Sequence, residues 1–131
     1  MPIQDNDLCF ACGSKNPIGL HAQYKNIDGT AQATLIIHKD FHGWENIIHG
    51  GIVTTLLDES MAKACIFANQ MAVTRTLEVK FKRPVVSNVP VTVTGRIKET
   101  RGPLIFLSAE IKQDGIIKAS AEATFAVMND A

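Results

Sequence analysis

The sequence predicts an α+β domain in which a curved antiparallel sheet wraps around one long helix. Several segments alternate apolar and polar residues with the period of two that is typical of strands with one buried face. Only one segment, from residue 50 to about residue 68, has apolar residues at the three- and four-residue spacing of a helix. The length of 131 residues corresponds to one domain, so we expect a single unit over residues 1–131.

The first strands are predicted to form a hairpin. Residues 30–37 alternate clearly, and the weaker segment 20–27 precedes them, separated by the Asp28-Gly29 turn signal. Four further strands are predicted at residues 76–82, 91–94, 105–112 and 117–127. Proline and glycine separate them, at Pro84, Gly102-Pro103 and Asp114-Gly115.

The predicted helix has one face for the sheet and carries an unusual acid outside it. The sheet-facing residues are Val53, Leu56, Leu57, Ser60, Ala64 and Phe67. Asp58 lies beside this sheet-facing side of the helix, among small or apolar neighbours. No lysine or arginine stands three or four residues from it in the sequence. It is therefore either a solvated carboxylate or part of an enclosed site in which its pKa would rise. Glu59 is instead predicted to pair with Lys63.

The segment His49-Gly50-Gly51 comes directly before the helix, where backbone N–H groups lack partners and the helix dipole is positive. The Gly50 N–H could bind a carbonyl oxygen that gains negative charge, as the donors of an oxyanion hole do. The alternative is that the two glycines only form a tight entry turn.

Composition and charge exclude several classes of function. Thirteen basic and thirteen acidic residues leave no basic field for nucleic acid. The apolar runs are much shorter than the roughly 18 residues of a membrane span, and the first residues do not resemble a secretion signal. Three cysteines are an odd number, which suits a reducing compartment. We therefore expect a cytoplasmic protein without nucleic-acid or membrane partners.

The pair Cys9 and Cys12 has the spacing of half a zinc site or of a redox motif. No second Cys/His pair stands at finger spacing, so the sequence predicts no metal site. Cys65, among apolar helix residues, is interpreted as a packing residue.

The segment from His49 to Glu59, HGGIVTTLLDE, resembles the signature of the hotdog-fold acyl-CoA thioesterases, in particular their phenylacetate-pathway-like group. The similarity continues through residues 76–84, TLEVKFKRP, and includes the leader residues CFACG at 9–13 and NPIGL at 16–20. The resemblance implies a six-stranded sheet around the helix, an N-terminal leader over residues 1–19, and a homodimer or a dimer of dimers. It implies no cofactor.

The resemblance also implies a reaction, the hydrolysis of an acyl-CoA thioester to a free acid and CoA. Asp58 would act as general base or as nucleophile, and the Gly50 N–H would polarise the thioester carbonyl. Thr74 or Thr76 aligns with a hydroxyl residue of the family that helps to place the water or the carboxylate. His49 aligns with a histidine beside the substrate carbonyl; alternatively, it is hydrogen-bonded within the turn.

Substrate-binding residues follow from the same resemblance and from the phosphates of CoA, which require local positive charge. The candidates are Lys82, Arg83 and Arg101, with Gly51 as a further substrate contact. Several relatives have Asn or Gln about six residues before the His-Gly-Gly motif, where this chain has Gly43, and Asn46 is a candidate replacement. The acyl pocket would lie at the subunit seam and could include Phe41, Trp44, Met61, Cys65 and Phe67.

The spacing of Gly50 and Asp58 predicts that the active site is shared between two chains. Eight residues correspond to about 12 Å along one helix, whereas both groups must lie about 3 Å from their reacting atoms. One site would then use Gly50 of one chain and Asp58 of the other. A non-catalytic acyl-CoA binding or sensing module is the main alternative function, and a hotdog hydratase is a weaker one.

Overall fold

The structure, a computed structural model, describes residues 3–128. Within them, six strands form one antiparallel sheet against a single α-helix, as predicted. The elements are β1 (Lys25–Ile27), β2 (Thr30–Leu35), β3 (His42–Trp44), β4 (Ile47–Ile48), α1 (Gly50–Phe67), β5 (Ala72–Phe81), β6 (Val91–Arg101), β7 (Leu104–Gln113) and β8 (Ile116–Val127). The sheet order is β1-β2-β6-β7-β8-β5, so β1 and β5 are the two edges.

The helix bounds agree with the prediction, and most differences concern strand lengths. The first predicted hairpin strand is reduced to β1, three residues long. Strand β6 is 11 residues long and continues well beyond residue 94, with a bulge between Ile97 and Glu99 that interrupts its alternation. The short hairpin of β3 and β4, preceded by a 3-10 helical turn at Lys39–Phe41, was not predicted, because strands this short have no measurable periodicity.

The helix packs closely on the middle of the sheet at Gly95. A β-carbon at this position of β6 would lie 2.5 Å from the carbonyl carbon of Ser60, so only glycine permits this approach. Ser60 is buried, and its hydroxyl donates to the Leu57 carbonyl at 2.7 Å. The central helix and sheet therefore share one tightly packed core.

The buried face of the helix is wider than the sequence indicates. Met61 and Cys65 are completely buried within the chain, and Phe67 is only partly buried. Both are core residues of the single chain, as predicted for Cys65, and neither is exposed there to line a pocket at a subunit seam. The N-terminal leader also packs on the protein, since its residue Ala11 is buried, as are Leu20 and Ala22 directly after the leader.

Two long-range connections hold the segments that surround the start of the helix. Ile48 N–H donates to the Val85 carbonyl at 2.8 Å, which joins β4 to the segment after β5. Gln113, almost fully buried, donates from Nε2 to the carbonyls of Val86 and Val89 at 2.7 and 3.0 Å and accepts from Val86 N–H at 2.9 Å. The end of β7 thus fixes the position of residues 82–90.

Candidate active site

A cleft of about 430 Å³ lies at the N-terminus of the helix. Its walls come from the β3–β4 hairpin, from the first turn of the helix and from the end of β5. They include Trp44, Ile47, His49, Gly50, Phe81, Lys82 and Arg83. The structure therefore brings together the predicted oxyanion donor, the predicted histidine and two of the three predicted basic residues.

The Gly50 N–H is available to a ligand in this cleft. No acceptor for it is present among residues 3–128. The next three amides are all satisfied by His49: Gly51 N–H donates to its Nδ1 at 2.8 Å, and those of Ile52 and Val53 donate to its carbonyl at 2.9 and 3.1 Å. Only Gly50 can therefore act as the helix N-terminal donor. Gly51, predicted as a substrate contact, uses its amide within the turn.

His49 caps the helix and also faces the cleft. Since Nδ1 accepts a hydrogen bond, the proton of the neutral ring is on Nε2, which is then a donor. The alternative interpretation of His49, a histidine hydrogen-bonded within the turn, is thus observed, and His49 is also a lining residue of the cleft.

Gly43, which stands where relatives have an amide side chain, packs closely on the capping histidine. A β-carbon there would lie 3.1 Å from the α-carbon of His49, a tight contact that a larger residue could make only with a small shift of His49. Asn46 does not replace it in the cleft. Its backbone is left-handed, with φ of 62°, its side chain is exposed, and its carbonyl accepts from Ser87 N–H at 3.2 Å. Asn46 therefore forms the β3–β4 turn.

Asp58 is half-buried and held by a single hydroxyl. Thr74 Oγ1 donates to Asp58 Oδ1 at 2.7 Å. Burial raises the pKa of the Asp58 carboxyl above its usual value, the hydrogen bond from Thr74 opposes this rise, and the charge of Glu59 adds to it. Neither an arginine nor a lysine forms an ion pair with Asp58 in the described part of the chain. Thr74 thus orients the Asp58 carboxylate, and no lysine or arginine of the described residues balances its negative charge.

A β-bulge decides which of the two candidate threonines contacts Asp58. The register of β5 and β8 shifts between Thr74 and Thr76. Thr74 is paired with the fully buried Phe125 and lies on the helix side, whereas Thr76 is paired with Thr124 and lies on the outer face. The structure places Thr74, and not Thr76, at the carboxylate.

The oxyanion donor and the acid are separated within one chain. Gly50 lies near the end of β5, because a β-carbon on it would be 3.5 Å from the ring of Phe81. Asp58 lies near the start of β5, at Thr74. Gly50 and Asp58 are eight residues apart on the same helix, about 12 Å along its axis. A single chain does not bring Gly50 and Asp58 to one substrate.

Arg101 is remote from the cleft in the chain. It lies at the β6–β7 turn, where its guanidinium contacts Glu99 at 2.7 Å and stacks on Phe106 at 4.9 Å from the ring centre. Of the predicted CoA-binding residues, only Lys82 and Arg83 line the cleft with Gly50. The sequence indicated neither Phe81 nor Ile47 as cleft residues, since both resemble ordinary strand positions.

The predicted ion pair of Glu59 with Lys63 is wrong. No such pair lies within bonding distance in residues 3–128, and Glu59 Oε2 instead accepts from Cys9 Sγ at 3.2 Å. Burial and the neighbouring Glu59 raise the pKa of the Cys12 thiol to about 12. The leader therefore contacts the helix one residue beyond Asp58.

Comparison with known proteins identifies the family. Residues 45–120 match the thioesterase superfamily. The chain belongs to the thioesterase superfamily. An uncharacterized protein of Schizosaccharomyces pombe is 30% identical over 74 residues, which are 55% of this chain and 42% of that protein. The chain thus spans less than half the length of this curated relative. The extent of the predicted domain, residues 1–131, and of its leader stays a prediction.

Solved thioesterase structures share the hotdog fold of this chain. The PaaI protein of the E. coli phenylacetic acid degradation operon is 20% identical with a TM-score of 0.79, covering 86% of this chain and 83% of that one. A hypothetical thioesterase of Streptococcus pneumoniae, solved with coenzyme A, is 18% identical with a TM-score of 0.78, covering 83% and 90%. That protein has also been solved as alanine variants of an aspartate and of a threonine 16 residues later.

Among residues 3–128, the structure contains no helix that combines the length and the apolar character needed to cross a membrane.

Proposed function

We propose that the chain hydrolyses acyl-CoA thioesters and that two copies of it form each active site. The observation that carries this proposal is the free Gly50 N–H at the positive end of the helix, in one cleft with Lys82 and Arg83. A donor of this kind stabilises the negative charge that a thioester carbonyl gains on attack. The thioesterase superfamily supplies the reaction class.

The free edge of the sheet supports the sharing of the site. Strand β5 is ten residues long, and no strand of residues 3–128 pairs with its outer edge, where Val73 and Phe81 are 40% and 57% exposed. Such an edge favours pairing with another strand. A second chain could pair its own β5 with this β5 in antiparallel orientation, with the centres of the two strands opposite each other. Thr74 would then lie about two residues, or about 7 Å, from Phe81 of the partner subunit. Since Phe81 lies on Gly50, Asp58 would then approach Gly50 of the partner subunit.

The proposed reaction uses these groups in order. The thioester carbonyl accepts a hydrogen bond from the Gly50 N–H, and Asp58, oriented by Thr74, takes a proton from a water that attacks the carbonyl carbon. The tetrahedral intermediate breaks its carbon–sulfur bond, and the CoA thiolate leaves and receives the proton held by Asp58. The products are a carboxylic acid and CoA. Asp58 could instead attack the carbonyl itself and form an anhydride, which water then hydrolyses.

Two further observations support the assignment of roles. Lys82 and Arg83 stand on the cleft wall, where their charges suit the phosphates of CoA, and a structural relative binds CoA. The aspartate and threonine changed in that relative are 16 residues apart, the spacing of Asp58 and Thr74. His49 would contribute its Nε2–H to the bound carbonyl.

The test is release of free thiol from a panel of short-chain, long-chain and aromatic CoA esters. Asp58→Asn should reduce kcat by about 10²–10⁴, the contribution of a general base. Thr74→Val should reduce kcat clearly, whereas the matched variant Thr76→Val should not, because Thr76 faces the outer side of the sheet. Saturable binding of CoA esters without turnover across the panel would instead favour the binding or sensing module.

The role of Asp58 is probed by a single turnover in H₂¹⁸O. An anhydride that water attacks at the Asp58 carbonyl leaves ¹⁸O in the Asp58 carboxyl group, and mass spectrometry of the Asp58 peptide then identifies a nucleophile. A general base, or an anhydride attacked at the acyl carbonyl, leaves that peptide unlabelled and places the ¹⁸O in the released acid, and a rapid acid quench distinguishes these two by the acylated mass that only the anhydride gives the Asp58 peptide.

A further inference from the structure

Two cysteines of the leader and one glutamate of the helix meet outside the active-site cleft. Cys9 Sγ lies 3.2 Å from Glu59 Oε2, and the ligand atoms of Cys9, Cys12 and Glu59 are all within 4.8 Å of one another. All three residues are partly buried, and none has a role in the proposed hydrolysis. We propose that these three side chains form a binding site for a zinc ion.

The distances suit tetrahedral coordination after small side-chain rotations. Zinc bonds of about 2.3 Å to sulfur and 2.0 Å to oxygen require sulfurs about 3.8 Å apart and sulfur–oxygen pairs about 3.5 Å apart. All of the ligand atoms lie within 4.8 Å of one another, so no pair exceeds its ideal separation by more than about 1.3 Å. No other His, Cys, Asp or Glu from residues 3–128 joins the group. Water would occupy the fourth position.

The backbone of the leader holds both thiols in place before any ion binds. Gly13 N–H donates to the Cys9 carbonyl at 2.8 Å, and a β-carbon on Gly13 would lie 2.4 Å from Cys9 N, so this turn requires glycine. Behind the turn, Leu20 N–H donates to the Phe10 carbonyl at 2.8 Å, and Ala11 is 3% exposed. The Cys-x-x-Cys-Gly turn is thus fixed on the protein, and Glu59 is presented to it by the rigid helix.

Ligand chemistry and charge both favour zinc. Thiolates select zinc over magnesium and calcium, and a carboxylate is a common third zinc ligand. Two thiolates and one carboxylate with a divalent ion leave one negative charge. Lys63 lies one helical turn after Glu59, and its positive charge would balance the negative one. The ion would fasten the leader to a helix residue 50 positions away.

The experiment uses the tag-free, reduced chain and Co²⁺ as the spectroscopic probe. We expect one equivalent of Co²⁺ to bind with the cobalt–thiolate charge-transfer and tetrahedral d–d bands, and one equivalent of Zn²⁺ to abolish them. Cys9→Ser and Cys12→Ser should each lose the charge-transfer band of one thiolate and most of the affinity. Glu59→Gln should bind at least about tenfold more weakly, the least that loss of a supporting ligand interaction costs.

The matched control is Cys65→Ala, which removes the third cysteine, in the core and outside the cluster. It should bind Co²⁺ as the unaltered chain does, and circular dichroism checks the fold of each variant. Failure of the reduced chain to bind a stoichiometric ion would overturn the proposal, as would binding that survives both serine variants. Because the readout is metal binding, it is independent of whether the chain hydrolyses thioesters.

Discussion

The shared active site can be tested by disabling its two halves in different chains. Gly50→Pro removes the N–H of the oxyanion donor, and Asp58→Asn removes the acid. Proline suits this position because Gly50 is the first helical residue, where proline is favoured. His49 has φ of −56° and ψ of 134°, the conformation that a residue before proline adopts. The change therefore removes one N–H with little effect on the helix.

The expected magnitudes follow from the number of intact sites. Loss of one oxyanion donor costs about 10²–10³ in kcat, and loss of a general base costs about 10²–10⁴. A mixed dimer of one Gly50→Pro chain and one Asp58→Asn chain contains one site with both defects and one with neither. It should therefore have about half of the kcat of the unaltered dimer, roughly 50-fold or more above either parent.

The assay measures thiol release by dimers that carry a different affinity tag on each chain and are purified through both tags. The two parent homodimers, tagged in the same way, provide the baseline. Gly50→Ala, which keeps the N–H and meets only the Phe81 ring at 3.5 Å, isolates the effect of added carbon atoms and should lose far less activity than the proline variant. Mixed dimers no more active than their parents would show that Gly50 and Asp58 do not act across two chains.

Three further predictions concern packing and binding. Gly95→Ala should lower the free energy of unfolding by about 1–3 kcal/mol in urea denaturation, because the added carbon meets the Ser60 backbone; unchanged stability would contradict the close helix–sheet approach. Gln113→Leu should destabilise by about 1–3 kcal/mol, because it leaves the Val86 N–H and the carbonyls of Val86 and Val89 without their partner. The double variant Lys82→Met/Arg83→Met should raise the KM for acyl-CoA about tenfold, while a matched acyl-pantetheine thioester, which lacks the nucleotide phosphates, should be unaffected.

The elements and the acid of the site could be predicted from the sequence because their signals are local. The helix from Gly50 is specified by apolar spacing within 18 residues and by the capping His49, and most strands by alternation within ten or so residues. Asp58 was identified because it lacks a cationic partner on its own helix, which can be counted along the chain. The Gly50 donor follows from the rule that the first amides of a helix have no internal partner.

Contacts between distant segments could not be predicted in this way. The choice of Thr74 over Thr76 depends on a bulge in the pairing of β5 with β8, and a shift of one residue exchanges the two faces of a strand. The position of Arg101, far from the cleft that holds Lys82 and Arg83, depends on the length of β6.

The sequence alone determined which elements form and which end of the helix offers a free amide, because both depend on neighbours within a few residues. Only the tertiary structure decided what those elements meet. Glu59 has Lys63 at ideal helical spacing, yet it contacts Cys9 from 50 residues away, because packing of the leader on the helix outweighs an exposed pair worth only a few tenths of a kcal/mol. Strand register and packing, which no local pattern encodes, assemble the site.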